Sequence, residues 1–435
     1  MLERKIQAQL VGWKAAPKKK CLVVQGARQV GKTFAVEQFG KEHYLELLTI
    51  NFKETPNEAA VFQGSLSVDT MVTSLRFRHP ELVITPGRTL LFFDEIQECP
   101  EAITSLKFWT NDGRYDVIAS GSMLGIDYQR PSSYPVGYLD YLTLKGLDFE
   151  EFLWAQGLSK DLTASIELYF RNREPVPSAV HDQLAMHYRL FCALGGMPEV
   201  VQTYEDTKDM RAADAIQRAL LQGYLYDIAH YATAQEKIKA ERCFLSIAGQ
   251  LLGKENHKFQ YKLLEKGGKA AKYYSSIDWL TRADIATAST NVTAAAFDLV
   301  DYEVEGNFRL YCTDLSLLLA MRDFGIKQAI VEGTLSGNTK GGLYESFIAD
   351  ALHKSGHVLH FYRNESTKRE VDFLVQREGR IIPIEVKAGR AAANSLSRIV
   401  SNNPEIDAAY KIANANVGIS EDGVVTIPHY MAMYV

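Results

Sequence analysis

Cysteine is scarce in this 435-residue chain: Cys21, Cys99, Cys192, Cys243 and Cys312 are scattered and odd in number. No two form a CxxC pair, which speaks against a disulfide framework or a thiolate zinc site and fits a reducing interior. A run of about 18 apolar residues free of charge is missing too, and the start MLERKIQAQLVGWKAAPKKK lacks the apolar core of a signal peptide. The expectation is a soluble cytoplasmic protein without a membrane partner. Nor does one charge dominate: 48 Lys+Arg stand against 53 Asp+Glu, a net charge of −5, so any nucleic-acid contact must come from a local patch. None of the histidines forms HExxH, and Gly356 breaks the helix that would align His353 with His357. What the chain does hold is 46% hydrophobic residues, enough for more than one core at a length that corresponds to about three domains.

The first 150 residues carry an amphipathic start (Ile6, Leu10, Trp13) and four apolar runs, CLVVQ, LELLTINF, TLLFFDEI and DVIASGS, separated by helical segments. Runs of this kind suit a parallel sheet covered on both faces, with ligands at the strands' carboxyl ends. Residues 151–236 turn helical, with apolar residues at i, i+3, i+4 and a loop at Pro175 and Pro177. Residues 237–305 read as helix, short helix, helix and a small hairpin, the order of a winged helix-turn-helix. Residues 306–435 hold a helix, TKGGLYESFIADALHKSG, and three short strands, VLHFYR, REVDFLVQ and RIIPIEVKAG. The fold class expected is a multidomain α/β protein.

Gly26-Ala27-Arg28-Gln29-Val30-Gly31-Lys32-Thr33 is a full GxxxxGK[ST] match, directly after a strand and before the helical run FAVEQF. Glycines let backbone N–H groups converge on phosphates, Lys32 reaches the outer phosphates and the Thr33 hydroxyl binds Mg²⁺. The alternative is a glycine-rich turn that only caps a helix. Downstream, Leu90-Leu91-Phe92-Phe93 bury a strand that ends in Asp94 and Glu95. Asp94 is placed to hold Mg²⁺ through water and Glu95 to orient or deprotonate the attacking water. Together these are the Walker A and Walker B elements of an ATP-hydrolysing site. Ser120 and Ser122, at the end of the fourth run, are sensor candidates for that water or the terminal phosphate, or else an ordinary turn. Trp13 is a candidate to flank the adenine.

GARQVGKT, LLFFDEIQ, ASGS and the later ALGGMPEV (residues 193–200) resemble the AAA-type ATPases of bacteria and archaea that carry a C-terminal domain of unknown function, itself similar to PD-(D/E)XK nucleases. The likeness runs over nearly the whole chain. It implies ATP and Mg²⁺ as cofactors, and ring-type assembly with further copies or a protein partner. One departure stands out. The family commonly has a Gly-Arg pair after the sensor strand, whereas this chain reads Val136-Gly137-Tyr138, with Arg130 nearby. If the family's arginine serves a neighbouring subunit as a finger on the phosphate charge, Tyr138 cannot do so, and the resemblance then implies slow hydrolysis or a trigger supplied by a partner.

Lys254, Lys258, Lys262, Lys266, Lys269 and Lys272 face only Glu255 and Glu265. Such a stripe neutralises DNA phosphates in a winged helix, or simply keeps a helix face in water. In the C-terminal region, strand alternation puts Asp372 at one strand centre and Glu385 with Lys387 on one face of the next. Paired carboxylates are costly unless they share a cation, and an ammonium two residues on orients water or steadies a phosphate. This D…ExK pattern, with Glu345 as a third carboxylate from the preceding helix, matches the PD-(D/E)XK core residue by residue. It makes Glu345, Asp372 and Glu385 candidate metal ligands and Asp372, Glu385 and Lys387 candidate catalytic groups. The bland reading is an exposed Glu385–Lys387 pair. Three functions follow: an ATP-driven switch moving the attached domains, an ATP-regulated metal-dependent nuclease, or a nucleotide-gated DNA- or protein-binding regulator.

Overall fold

The computed structural model describes residues 2–121, 135–231, 234–253, 257–364, 366, 369–389, 394–403, 406 and 408–435. The chain forms two compact units, Glu3–Lys145 and Gly146–Val435.

In the first unit, α1 (Ile6–Ala15), β1 (Cys21–Gln25), α2 (Lys32–His43), β2 (Glu46–Asn51), α3 (Val68–Arg78), β3 (Thr89–Asp94), α4 (Pro100–Asp112), β4 (Asp116–Gly121) and β5 (Leu139–Thr143) follow one another. The strands make one parallel sheet in the order β5-β1-β4-β3-β2. Its central strands β3 and β4 are buried along their whole length, which is why their sequences run apolar instead of alternating. One face is filled by Phe52, Phe62, Phe93 and Trp109, whose rings meet edge-on or tilted with centroids 5.3–6.3 Å apart. Pro100 opens α4, and Gly113, at φ 68°, closes it.

The second unit holds α5 (Phe149–Ala155), α6 (Lys160–Asn172), α7 (Ser178–Leu194), α8 (Pro198–Thr207), α9 (Met210–Tyr231), α10 (Ala234–Leu252) and α11 (Ala270–Arg282). Strands β6 (Ala286–Val292) and β7 (Glu303–Cys312) follow, then α12 (Leu315–Ala320), α13 (Phe324–Glu332) and α14 (Gly337–Lys354). The chain ends with β8 (Leu359–Asn364), β9 (Arg369–Arg377), β10 (Arg380–Lys387), α15 (Asn394–Asn402), β11 (Tyr410–Ala413), β12 (Gly418–Ile419) and β13 (Val425–Pro428). A mixed sheet runs β12-β13-β11-β10-β9-β8-β6-β7.

This sheet alters the reading of residues 237–305. The two helices and the antiparallel β6–β7 hairpin form, but β6 also pairs in parallel with β8, Ser289 opposite Leu359. The hairpin is therefore the edge of the C-terminal sheet and not a free wing. The boundary expected between 305 and 306 falls inside β7, and that between 150 and 151 inside α5. The compact units divide instead at 145/146.

The ALGGMPEV stretch has a packing explanation inside the second unit. Asp314 accepts from the Gly196 amide at 3.0 Å, the Ser316 amide at 2.8 Å and the Lys354 ammonium at 2.8 Å. A Cβ on Gly195 would lie 2.2 Å from the Ser316 nitrogen, and one on Gly196 2.2 Å from the Leu147 carbonyl oxygen. Both positions need glycine because another backbone passes where a side chain would stand. Lys354 also sits 2.9 Å from Asp350, so two buried carboxylates share one buried ammonium. Among the described residues no helix is long and apolar enough to cross a membrane.

Candidate functional site

The phosphate loop begins where β1 ends. The Leu144 amide donates to the Gln25 carbonyl at 2.8 Å, and a Cβ on Gly26 would lie 2.0 Å from the Leu144 carbonyl oxygen. Only glycine lets the chain turn there. The loop then passes through left-handed conformations at Gln29 (φ 61°) and Gly31 (φ 92°) and enters α2 at Lys32, which leaves the first amides of that helix facing the loop's concavity. Lys32 folds back over the loop, its Nζ 3.0 Å from the Gly26 and 2.7 Å from the Ala27 carbonyl oxygen. Arg4, just ahead of α1, is buried. Its Nη1 donates to the Val30 carbonyl at 3.0 Å and its Nη2 to the Lys145 carbonyl at 2.6 Å, while Gln7 donates to the Ala35 carbonyl at 2.9 Å. The loop is thus braced from the amino-terminal segment, a role that no motif in the sequence announces.

Asp94 is the hub of the site and is 2% exposed. Sheet register brings its partners to it: Asn51 lies opposite Asp94 across β2–β3, and Ala119 opposite Phe93 across β3–β4. Thr33 Oγ1 donates to Asp94 Oδ2 at 2.8 Å, Asn51 Nδ2 donates to the same oxygen at 3.0 Å, and Ser120 Oγ donates to Oδ1. The Ser120 hydroxyl, a sensor candidate for the attacking water or the terminal phosphate or else part of an ordinary turn, here bonds this carboxylate. Ser122, Arg130, Lys254 and Glu255 lie outside the described residues. Glu95 sits half-buried in the left-handed region (φ 50°), and Gln97 donates a hydrogen bond to its Oε2. The donors beside the loop are a hydroxyl and a carboxylate, hard oxygen ligands of the kind Mg²⁺ takes when phosphates and water complete its shell. They fit Mg²⁺.

Two expectations fall at the other end of the sheet. Trp13 donates from Nε1 to the Lys20 carbonyl at 3.0 Å and lines a small cavity with Lys19, Cys21, Trp109 and Asp116, at the amino ends of β1 and β4. The phosphate loop is at the carboxyl ends, so Trp13 is not placed to flank an adenine there. Tyr138 immediately precedes β5, its carbonyl accepting from Thr110 Oγ1 at 2.8 Å and its ring 5.2 Å from the Lys107 ammonium. It too lies at the end of the sheet away from its own loop.

The C-terminal acidic residues come together, as their strand positions imply, but with company. Asp372 Oδ2 accepts from the Val386 amide at 2.7 Å, and Glu385 pairs with Lys387 at 2.6 Å while accepting from the Leu396 amide at 3.2 Å. Glu345 on α14 is buried among donors that the sequence reading did not include: Arg309 and Tyr311 on β7, and His257. Burial opposes ionisation of Glu345, but Arg309 and His257 hold its pKa at about 2. Burial, and then the negative charge of Glu345, push Asp372 up to about 7. Among the described residues no group of three or more His, Cys, Asp or Glu is arranged to hold a metal ion.

Residues 18–153 match the family model of the AAA domain. This part of the chain is an AAA-type P-loop domain. Residues 186–328 and 340–430 match two domains of unknown function, DUF8612 and DUF4143. No curated protein matches the chain. Similar solved structures include the Orc1 protein of Aeropyrum pernix in complex with DNA, at 11% identity over 77% of this chain and 93% of that one, with a TM-score of 0.30. Cdc6p from Pyrobaculum aerophilum matches at 12% identity over 76% and 93%, TM-score 0.24. AMPPCP-bound DnaA from Aquifex aeolicus matches at 11% over 64% and 86%, TM-score 0.28. The AAA assignment rests on the family match and agrees with the strand order and loop geometry of the first unit.

Proposed function

We propose that the protein is an ATP-driven switch whose first unit binds and hydrolyses Mg·ATP and passes its nucleotide state to the second unit. The observation that carries this reading is the convergence of the phosphate loop, Thr33 and Asp94 at the carboxyl ends of β1 and β3. When bound, Mg·ATP supplies the phosphoanhydride to be cleaved and a cation that offsets its charge. Lys32 leaves the carbonyls of Gly26 and Ala27 to meet the phosphate charge. Thr33 and Asp94 hold the cation's side of the site, with Asn51 and Ser120 fixing the Asp94 carboxylate. Glu95, steadied by Gln97, takes a proton from the attacking water. Residues 144–147 connect the loop's own support, Leu144, to the Gly196–Asp314 clasp of the second unit through Leu147, and are the covalent route for the signal. Turnover tests the reading: Glu95→Gln retains ATP binding and loses hydrolysis, and Lys32→Ala loses both. Equal turnover by Glu95→Gln and the wild type refutes the assignment of the base.

A second reading, in which the nucleotide state gates DNA binding, draws support from Lys262, Lys266, Lys269 and Lys272, all exposed between or at the start of the two helices α10 and α11. It predicts DNA affinity that falls steeply with salt and is lost in Lys262→Glu and Lys269→Glu. Lys272 is partly spent on Glu265, which limits the patch to the other three.

A further inference from the structure

Carboxylates gathered at Glu345, Glu370, Asp372 and Glu385 call for positive charge, and the fold brings its own. Arg309 is fully buried, 1% exposed. Its Nη1 is 2.9 Å from Glu345 Oε1, its Nη2 bonds Glu370 Oε1, and its guanidinium lies 4.2 Å from the centroid of the Phe361 ring. Glu345 Oε1 accepts in addition from the Tyr311 hydroxyl, and Glu345 Oε2 is bonded by His257 Nδ1. Counting the Lys387, Leu396 and Val386 contacts, five of the six oxygens of Glu345, Asp372 and Glu385 already face a protein donor.

A divalent ion needs several carboxylate oxygens turned to one point with their lone pairs free. Here Glu345 is turned to Arg309, Tyr311 and His257. An ion entering the cluster would have to strip Glu345 from a desolvated guanidinium and leave two positive charges buried side by side, the arrangement that burial penalises most. We propose that Arg309 is the resident cation of the C-terminal acidic cluster, so that Glu345, Asp372 and Glu385 form a metal-independent ionic core and not a divalent-metal centre. The Asp…Glu-x-Lys pattern then records a fold whose carboxylates are balanced from within, by an arginine on β7 in place of an ion. The inference is independent of the nucleotide reading, since no residue of the first unit enters it.

The test uses the full-length protein without nucleotide and Mn²⁺ as the probe, with free Mn²⁺ followed by electron paramagnetic resonance and unfolding followed by calorimetry. In the wild type, Asp372→Asn and Glu385→Gln are expected to change Mn²⁺ affinity by less than about twofold, where loss of a true ligand or its orienting partner costs about tenfold or more. Arg309→Met is expected to lower the melting temperature, and Mn²⁺ is expected to raise it again in that variant but not in the wild type. Adding Asp372→Asn to Arg309→Met abolishes the rescue. A tenfold or greater loss of Mn²⁺ affinity on Asp372→Asn in the otherwise wild-type chain, about 1.4 kcal/mol, overturns the proposal, and this arm is decisive even if Arg309→Met does not fold. An Arg309→Met protein that melts like the wild type without Mn²⁺ overturns it as well.

Discussion

Replacing Lys354 by Met removes the ammonium shared by Asp314 and Asp350 while keeping most of the side chain's apolar bulk. All three groups are buried, and Lys354 lies 2.8 Å from Asp314 and 2.9 Å from Asp350. Deleting one partner of a buried ionic cluster leaves uncompensated charge and costs about 3–5 kcal/mol. At about 2–4 °C per kcal/mol for units of this size, the melting temperature of the second unit falls by about 6–20 °C. The cost depends on pH with a definite sign. In the wild type, burial outweighs Lys354 and, with Asp314, pushes Asp350 up from 3.8 to about 7. Between those values the native state holds a proton that the unfolded state releases, so the contribution of Asp350 to stability falls as pH rises across that window. Without Lys354 the Asp350 carboxyl loses the cation that favours its charged form and resists ionisation further, so the variant's deficit is largest above neutrality and shrinks on acidification. Asp350→Asn combined with Lys354→Met recovers about 1–3 kcal/mol by removing one of the stranded charges. Calorimetry across pH 5 to about 8 reads all of this. A deficit under about 1 kcal/mol, or one that does not shrink with acid, refutes the shared-cation account of the Gly195-Gly196 clasp.

Three further outcomes concern the nucleotide site. Gly26→Ala places a methyl group 2.0 Å from the Leu144 carbonyl oxygen, so nucleotide binding, read with a fluorescent ATP analogue, is lost together with stability of the first unit. Ser120→Ala frees one oxygen of Asp94, and steady-state kinetics are expected to show kcat lowered by about 10–100-fold, as for other partners that orient a metal-side carboxylate, with KM little changed. Arg4→Met leaves the Val30 and Lys145 carbonyls without their charged donor, and at about 1.5–3 kcal/mol for such a bond the affinity for ATP falls about tenfold or more, although Arg4 is not expected to touch the nucleotide.

The parts of the site that were legible in the sequence are those written in consecutive residues. Gly26 to Thr33 needs only a strand before it and a helix after it, and Asp94-Glu95 needs only an apolar strand that ends there. Asn51, and the bond of Ser120 to Asp94, are not legible in the sequence because both depend on which strands lie beside β3, and the order β5-β1-β4-β3-β2 is not written in any one strand. Arg4 escaped for a related reason: a single arginine before a helix looks like any solvated charge until tertiary packing buries it. The helices and hairpin after residue 237 were readable from their periodicity, while the pairing of Ser289 with Leu359, which turns a wing into a sheet edge, is long-range and leaves no local trace. At the C-terminal cluster the need for a cation followed from the carboxylates themselves. A pattern of carboxylates points to an ion from solution, whereas Arg309 stands 36 residues before Glu345 on a strand that spans the boundary expected at 305/306.

The central claim is that the loop from Gly26 to Thr33 grips a nucleotide. Calorimetric titration of the full-length protein with Mg·ATP, wild type beside Lys32→Ala, tests it most directly, with unliganded melting curves showing that both are folded. The account predicts saturable binding and thermal protection in the wild type and neither in the variant. Absence of binding in the wild type, or equal binding by both proteins, contradicts it.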